Sequence, residues 1–452
     1  MAGSVANIDL RVQISYRQIL KIALPISAAI LVPQINFITN NIFLGRLGEM
    51  QLGAAGITGV FYLVFAGIGF GLNNGLQALI ARRAGEGRIE EIGKIFAQGI
   101  RIALFIAGIG IFIVYFLMPQ ILRHTLRSAE VAEMCIRFLK IRIWGLPFLY
   151  MYQMRNALLV GTNQSRYLIA GTIAETVSNI FFDYAFIYGK FGFPELGFNG
   201  AAIASIIAEF LGMFVVFAVI HWKGFHKTFA LYRHFGFNKE VSRLILVQSS
   251  PLIAQHAISI MSWEFFYVLI EHHGQRDLAI SNTMRNIFGF FGVFTWAFGA
   301  TSNTMVSNII GQGLKERVIT LINMIVHLST GISLLICIIL NLFPNFVLSI
   351  YGQGPEFVEA AIPVLRVVST ALIIMSFAVV WLNAVTGTAN TIINLGIEFA
   401  SILLYSVYAY VILEKMRLPI TWGWAAEWIY WSTMFTCSFL YIRSGKWKSK
   451  KI

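Results

Sequence analysis

Charge is scarce in this sequence. Asp, Glu, Lys and Arg make up 12% of its 452 residues, about half the share in an average soluble domain. Cysteine is scarcer still: Cys135, Cys337 and Cys437 are scattered in or near apolar stretches, without metal-ligand spacing, and read as packing residues. No Walker sequence is present, which excludes direct use of ATP. The "GIGFG" at 67–71 follows no strand, and the "HH" at 272–273 has no third ligand at useful spacing. Clustered His, Asp or Glu of the kind a membrane transferase needs are also missing. The chain is therefore expected not to be an enzyme and to need no cofactor.

What it has instead is apolar length. Hydrophobic residues make up 57% of the chain and the mean hydropathy is +0.72. A spanning helix needs about 20 mostly apolar residues. Twelve such stretches are legible, at 17–44, 52–82, 92–118, 133–160, 167–189, 200–221, 243–272, 278–311, 318–342, 357–387, 391–413 and 421–442. The opening "MAGSVANIDLRVQISYRQILKIALPISAAI" lacks a small-residue cleavage site after a short apolar core, and reads as a polar lead-in to the first helix. The expected class is a polytopic all-α membrane protein.

The net charge of +13 is distributed as a topology signal, which argues against nucleic acid. With both termini cytoplasmic, twenty of the 34 Lys and Arg residues fall inside and eleven outside, the bias that sets orientation. Five of the outside residues lie in Arg123–Arg142; Arg101, Arg155 and Arg285 fall within helices. The tail "RSGKWKSKK" reads as a topogenic or anionic-lipid-contacting segment.

The sequence also repeats. Pro25 matches Pro251, and Gly85 and Gly87 match Gly311 and Gly313, all at an offset of 226; "RNALLVGTNQ" matches "LNAVTGTANT" at 227, pairing Asn156, Ala157 and Asn163 with Asn383, Ala384 and Asn390. Six helices per half is an even number, so both halves enter the membrane from the same side. They are expected to be related by a pseudo-twofold axis along the membrane normal. The expected organisation is an N-lobe at 1–221, a cytoplasmic linker at 222–242 and a C-lobe at 243–452 with its basic tail. A cavity between two such halves can open to either side in turn.

Carboxylates inside apolar helices each cost about 2.5–3.5 kcal/mol at a helix centre on insertion scales, so they mark function or a specific partner. In the fifth stretch Thr172, Thr176, Asn179 and Asp183 fall on one helical face with Glu175 beside them. That stripe offers oxygen ligands for Na⁺, an acid able to titrate, or a hydrogen-bonded knot between helices. In the seventh stretch Glu264 neighbours Tyr267 and Glu271, while Gln248, Gln255 and Ser259 form a separate stripe. His256 is a packed histidine or part of a proton relay with Glu264, and Arg285 is a possible counter-charge to that glutamate. Trp263, Tyr267, His256 and Arg285 are candidates for the wall of a substrate cavity. Glu209 and Glu398 also lie within apolar helices, with no partner that the sequence can name, and His327 reads as structural.

These features resemble the multidrug and toxic compound extrusion (MATE) family of cation-coupled exporters, over about 15–443. "LPISAAILVPQINFITNNIFLGRLG" looks like its opening helix, "GLQALIARRAGEGRIEEIGK" its second helix and turn, and "NIFFDYAFIYGKFGFPELGFNGAAIAS" its helix 5–6 signature. The resemblance implies an N-lobe site of Asn40, Asn156, Asn179 and Asp183, with Na⁺ at Asp183 and Asn179 as one option, and a C-lobe acid at Glu264. Two departures stand out. Asn40 replaces the family's aspartate, and the acidic pair that some members place on helix 10 is missing from "SFAVVWLNAVTGTANT". The resemblance implies a monomer in a prokaryotic inner membrane that exports amphipathic cations in exchange for H⁺ or Na⁺. A lipid-linked oligosaccharide flippase of the same superfamily is the alternative, and a membrane transferase and an ion channel are weaker ones.

Overall fold

The computed structural model describes residues 10–126, 128–233 and 236–450, and no strand occurs among them. Twelve helical rods follow one another. The first four are α1 (Tyr16–Gly45), α2 (Glu49–Glu86), α3 (Ile89–Thr125, with a π turn at Ile113–Leu117) and α4 (129–161). Next come α5 (Leu168–Tyr188), α6 (Phe198–Trp222), α7 (Lys239–Glu271) and α8 (Gln275–Gly311). The last four are α9 (Val318–Leu342), α10 (Pro355–Gly387), α11 (Thr391–Lys415, ending in a π turn) and α12 (Ala426–Arg443). α4 is broken by a 3-10 turn at Ile143–Gly145, and a proline in the first turn of Leu146–Gly161 restarts it.

Seven described helices are long and apolar enough to cross a membrane, and α5 and α8 are not among them. Both carry polar side chains turned into protein: α8 buries Thr301, Ser302, Asn303, Thr304, Ser307 and Asn308. Apolar side chains point outward instead, such as Phe105, Phe112 and Phe116 of α3 and Leu335, Ile338 and Leu342 of α9. That is the inversion a hydrocarbon solvent favours.

The chain divides into two compact units, one built on Ala28–Ile253 and the other on Arg11–Ser27 with Ala254–Ile452. α1 therefore begins in the second unit and α7 in the first, each changing membership two residues after a proline, Pro25 or Pro251. In the first unit α5 lies along α6 and α2 along α4; in the second α11 lies along α12 and α8 along α10.

The backbone repeats with the sequence. Positive φ occurs at Gly48 and Gly274 (138° and 114°), at Gly87 and Gly313 (74° and 81°), and at Asn163 and Ala389 (63° and 64°), each pair 226 residues apart. The last pair corrects the register read from sequence. Asn163 stands opposite Ala389, not Asn390, because both close the same turn: Asn163 N donates to Val160 O, and Ala389 N to Thr386 O. Aligning the asparagines moved that match by one residue.

α5 and α6 approach closely through small residues. A Cβ at Gly171 would overlap the Val216 methyl, and one at Gly212 would stand 2.9 Å from Glu175 Cβ. Gly171→Val should therefore lower stability by about 1–3 kcal/mol, the usual cost of overpacking, read as an earlier thermal unfolding midpoint of the purified protein.

The segment 222–242 packs on its own unit. Phe229 and Leu231 are fully buried, and Gln98 of α3 donates to Gly236 O at 2.8 Å and is reached by Ser242 Oγ at 3.2 Å. The basic tail is also partly committed to protein: Lys448 pairs with Glu316 at 2.6 Å, and Lys450 Nζ donates to the Ala389 carbonyl at 2.5 Å.

Candidate functional site

The polar stripe of α5 faces protein. Thr172, Thr176, Asn179 and Asp183 are at most 5% exposed, whereas Ile173 and Val177 on the opposite face are 48% and 62% exposed. Asn179 Nδ2 donates to Asp183 Oδ2 at 2.9 Å, one turn apart on the helix. The other carboxylate oxygen, Asp183 Oδ1, is buried and has no hydrogen-bond partner.

Two neighbouring helices are fastened to α5, one of them at the stripe. On α4, Tyr152 OH lies 2.9 Å from Thr172 Oγ1, and half-buried Asn156 follows one turn later. On α1, the Phe43 carbonyl accepts from Tyr188 OH at 2.8 Å, which ties the two helix ends together. Asn40 lies one turn before Phe43, and its Oδ1 is likewise buried without a partner. Of the four residues that the sequence grouped, Asn179 and Asp183 touch directly. Two acceptor oxygens left without donors suit a small cation or a proton, since a buried acceptor without a partner carries a desolvation cost that either would relieve.

Beside the stripe stands a partner that the sequence did not supply. Arg142, counted there among the outer basic residues, is buried with Glu209 of α6. Its Nη1 and Nη2 donate to Glu209 Oε2 and Oε1 at 2.9 and 2.5 Å, a bidentate pair. Tyr62 OH donates to Glu209 Oε1 at 3.0 Å, and the guanidinium lies over the Tyr62 ring, 3.8 Å from its centroid. A Cβ at residue 145 would collide with the Glu209 carboxylate, so glycine there makes room for the pair. Arg142 is also within electrostatic reach of Glu175 and Asp183. One buried cation thus serves three carboxylates on α5 and α6. Glu175 itself is half-buried against Gly212.

In the second unit, Glu264 and Arg285 form no ion pair. The Arg285 guanidinium lies over the Tyr267 ring, 5.0 Å from its centroid, while Glu264 is exposed. Tyr267 OH donates to Ser281 O at 3.0 Å, joining α7 to α8, and its ring stacks with that of Trp263 at 6.2 Å. His256 is half-buried on α7. Because Glu264 leaves no buried counter-charge behind, Glu264→Gln should change stability by less than about 0.5 kcal/mol, checked by thermal unfolding beside the unaltered protein.

Glu398 does have partners, supplied by the second stripe of α7: Gln255 Nε2 at 3.1 Å and Ser259 Oγ at 2.5 Å, with Tyr430 OH at 2.5 Å from α12. Glu427, which the sequence reading passed over, is 2% exposed and accepts from Trp431 Nε1 at 2.9 Å. The signal for it was available, as a carboxylate one helical turn from a tyrosine and a tryptophan inside an apolar run. His327 is held by Tyr16 OH at 3.2 Å. His272 and His273 bind Glu414 and the Leu413 carbonyl, both at 2.9 Å, as fasteners between helix ends.

Comparison with known proteins agrees with this architecture. The chain is 24% identical over 453 residues to "Probable multidrug resistance protein NorM" of Thermotoga maritima, spanning 96% of this chain and 94% of that one. The protein of the same name from Synechocystis is 27% identical over 236 residues, 52% of this chain and 50% of the other. Among solved structures, a MOP superfamily transporter from Pyrococcus furiosus superposes with a TM-score of 0.88 at 17% identity, covering 98% of each chain. That likeness establishes the fold. The MatE family model matches the sequence twice, at residues 25–185 and 251–411, again 226 residues apart, so the chain is a duplicated membrane protein that belongs to the MatE family.

Proposed function

We propose that this protein is a secondary exporter of amphipathic, mainly cationic small molecules, working as a monomer and driven by exchange for Na⁺ or H⁺. The observation that carries the reading is Asp183, a fully buried carboxylate in a membrane helix with one oxygen unpartnered. Family membership and the names of the relatives support the substrate class. The charge bias supports cytoplasmic termini in a prokaryotic inner membrane.

In this reading the N-lobe, 1–221, and the C-lobe, 243–452, open alternately to the two sides around the linker 222–242. The coupling cation is held by Asp183 and Asn179, with Asn40 and Asn156 supplying further oxygens and Glu175 lying within the same field. Its binding removes the charge of Asp183. A cation can shift the balance between two states only if it binds them unequally, and a buried carboxylate that is dry in one state and wet in the other meets that requirement. Glu264 then serves the organic cation electrostatically, with Trp263, Tyr267, His256 and Arg285 forming part of the wall it passes.

The test is reconstitution of the purified chain in liposomes with a Na⁺ gradient and a H⁺ gradient imposed separately at zero membrane potential. Uphill movement of a fluorescent organic cation under one of them is the expected result. Movement under neither would contradict the reading.

A further inference from the structure

In the first unit, one face of α6 carries a ladder of rings at helical spacing. Phe210 and Phe214 are 41% and 50% exposed, and their rings stack at 6.1 Å. Phe214 stacks on Phe217 at 6.4 Å, and Phe217 meets the His221 ring at 4.0 Å. Phe148 of α4 stands edge-on to Phe210 at 5.4 Å and closes one side of the row. An exposed apolar strip with a polar border marks a surface made for contact with a lipid or a partner.

The end of the strip next to the linker is cationic. Arg155 of α4 lies there, its guanidinium 5.4 Å from the Phe217 ring centroid. It sits less than two helical turns before α4 ends at Gly161. Its Nη1 donates to the Met151 carbonyl of its own helix at 3.1 Å, and it enters no ion pair among the described residues. The linker wraps around this end. His221 stacks on His226 at 4.5 Å and on Tyr232 at 5.5 Å, and Tyr232 is within electrostatic reach of Arg155. Lys223, Lys227 and Arg233 are exposed on the same segment, and no Asp or Glu stands between Glu209 and Glu240.

A cation within a spanning helix is costly unless something answers its charge. The Phe217 ring answers part of it, and the Met151 carbonyl uses only a fraction of the N–H donors that arginine carries. A phosphate suits the remainder, because the guanidinium fork matches its oxygens in a bidentate arrangement. Basic pockets between spanning helices at a membrane surface bind anionic lipid headgroups. Continuity gives this pocket its specificity: the apolar strip that would receive an acyl chain leads directly to the cation.

We propose that the groove between α4 and α6 binds one anionic phospholipid. Its phosphate rests on Arg155 beside Tyr232 and His226, and one acyl chain lies along Phe217, Phe214 and Phe210. The lipid thereby joins the ends of α4 and α6 to the linker. The site works in this way whether or not the chain exports drugs, so its test needs no transported substrate.

The test titrates the purified chain, in micelles of a nonionic detergent, with dioleoyl phosphatidylglycerol and follows the thermal unfolding midpoint. A ligand that binds only the folded state raises that midpoint. The expected result is a saturable rise that dioleoyl phosphatidylcholine does not reproduce and that glycerol phosphate, without acyl chains, does not reproduce either. Arg155→Gln should weaken the apparent affinity at least about fivefold, the worth of one cation at a membrane surface. Arg443→Gln is the matched control, since that guanidinium lies over the Phe439 ring at 5.2 Å at the end of α12; it should leave the affinity unchanged. No rise with phosphatidylglycerol, an equal rise with phosphatidylcholine or glycerol phosphate, or an affinity lost with Arg443→Gln and kept with Arg155→Gln overturns the proposal. Should Arg155→Gln fail to fold, Phe214→Ala serves in its place. It removes an exposed ring, so folding should survive, and the affinity should fall about threefold or more; an unchanged affinity overturns the site.

Discussion

Glu209→Leu should destabilise the protein by about 3–5 kcal/mol, and Arg142→Leu by a similar amount, because each leaves the partner charge buried without its counter-ion. The geometry makes the pair strong. Two nitrogen–oxygen contacts at 2.9 and 2.5 Å are joined by the Tyr62 hydroxyl at 3.0 Å, and the guanidinium rests on the Tyr62 ring. The single substitutions differ in one respect. Arg142→Leu also removes the positive charge that reaches Glu175 and Asp183, so it should alter the cation dependence of transport as well. The double substitution should regain most of the lost stability, since a buried ion pair replaced by apolar residues of similar size is often neutral. Thermal unfolding of the two single variants and the double variant measures the coupling. Additive losses would mean that the pair is not an energetic unit.

Much of the fold was legible because hydrocarbon imposes it. The stretches at 17–44 and 357–387 became Tyr16–Gly45 and Pro355–Gly387, since an apolar run of spanning length has few other solutions in a bilayer. Where local chemistry competes with length, the reading was poorer. The fourth stretch, expected at 133–160, begins at Ala129 and breaks at Ile143–Gly145, where glycine admits Glu209 and a proline restarts the helix. No hydropathy window carries that information.

The site divides in the same way. The stripe from Thr172 to Asp183 was legible because its periodicity is local to one helix. The partners of Glu209 and Glu398 were not, because these pairs join residues 32 to 147 positions apart, on different helices. Which faces of two distant helices meet is decided by packing, not by either pattern alone. Arg142 was misplaced for a related reason: it was counted with four neighbouring basic residues as outside, although it turns inward to Glu209. The repeat was legible at glycine and proline, where backbone geometry fixes the residue. It slipped at Asn163, where an alanine carries the same left-handed turn in the second copy.

Asp183→Asn is the second large effect, and it bears on the central claim. The amide is nearly isosteric with the carboxylate and keeps an oxygen to accept from Asn179, whose Nδ2 lies 2.9 Å from Asp183 Oδ2. Folding should survive, because the substitution removes a buried charge whose second oxygen is unpartnered. Coupling should not survive, because an amide presents the same shape whether or not a cation is present. The most direct measurement compares gradient-driven movement of an organic cation in proteoliposomes containing equal amounts of folded Asp183→Asn and unaltered protein. The account predicts that the variant falls to the rate of protein-free liposomes. Uphill movement by the variant at a rate close to that of the unaltered protein would contradict it.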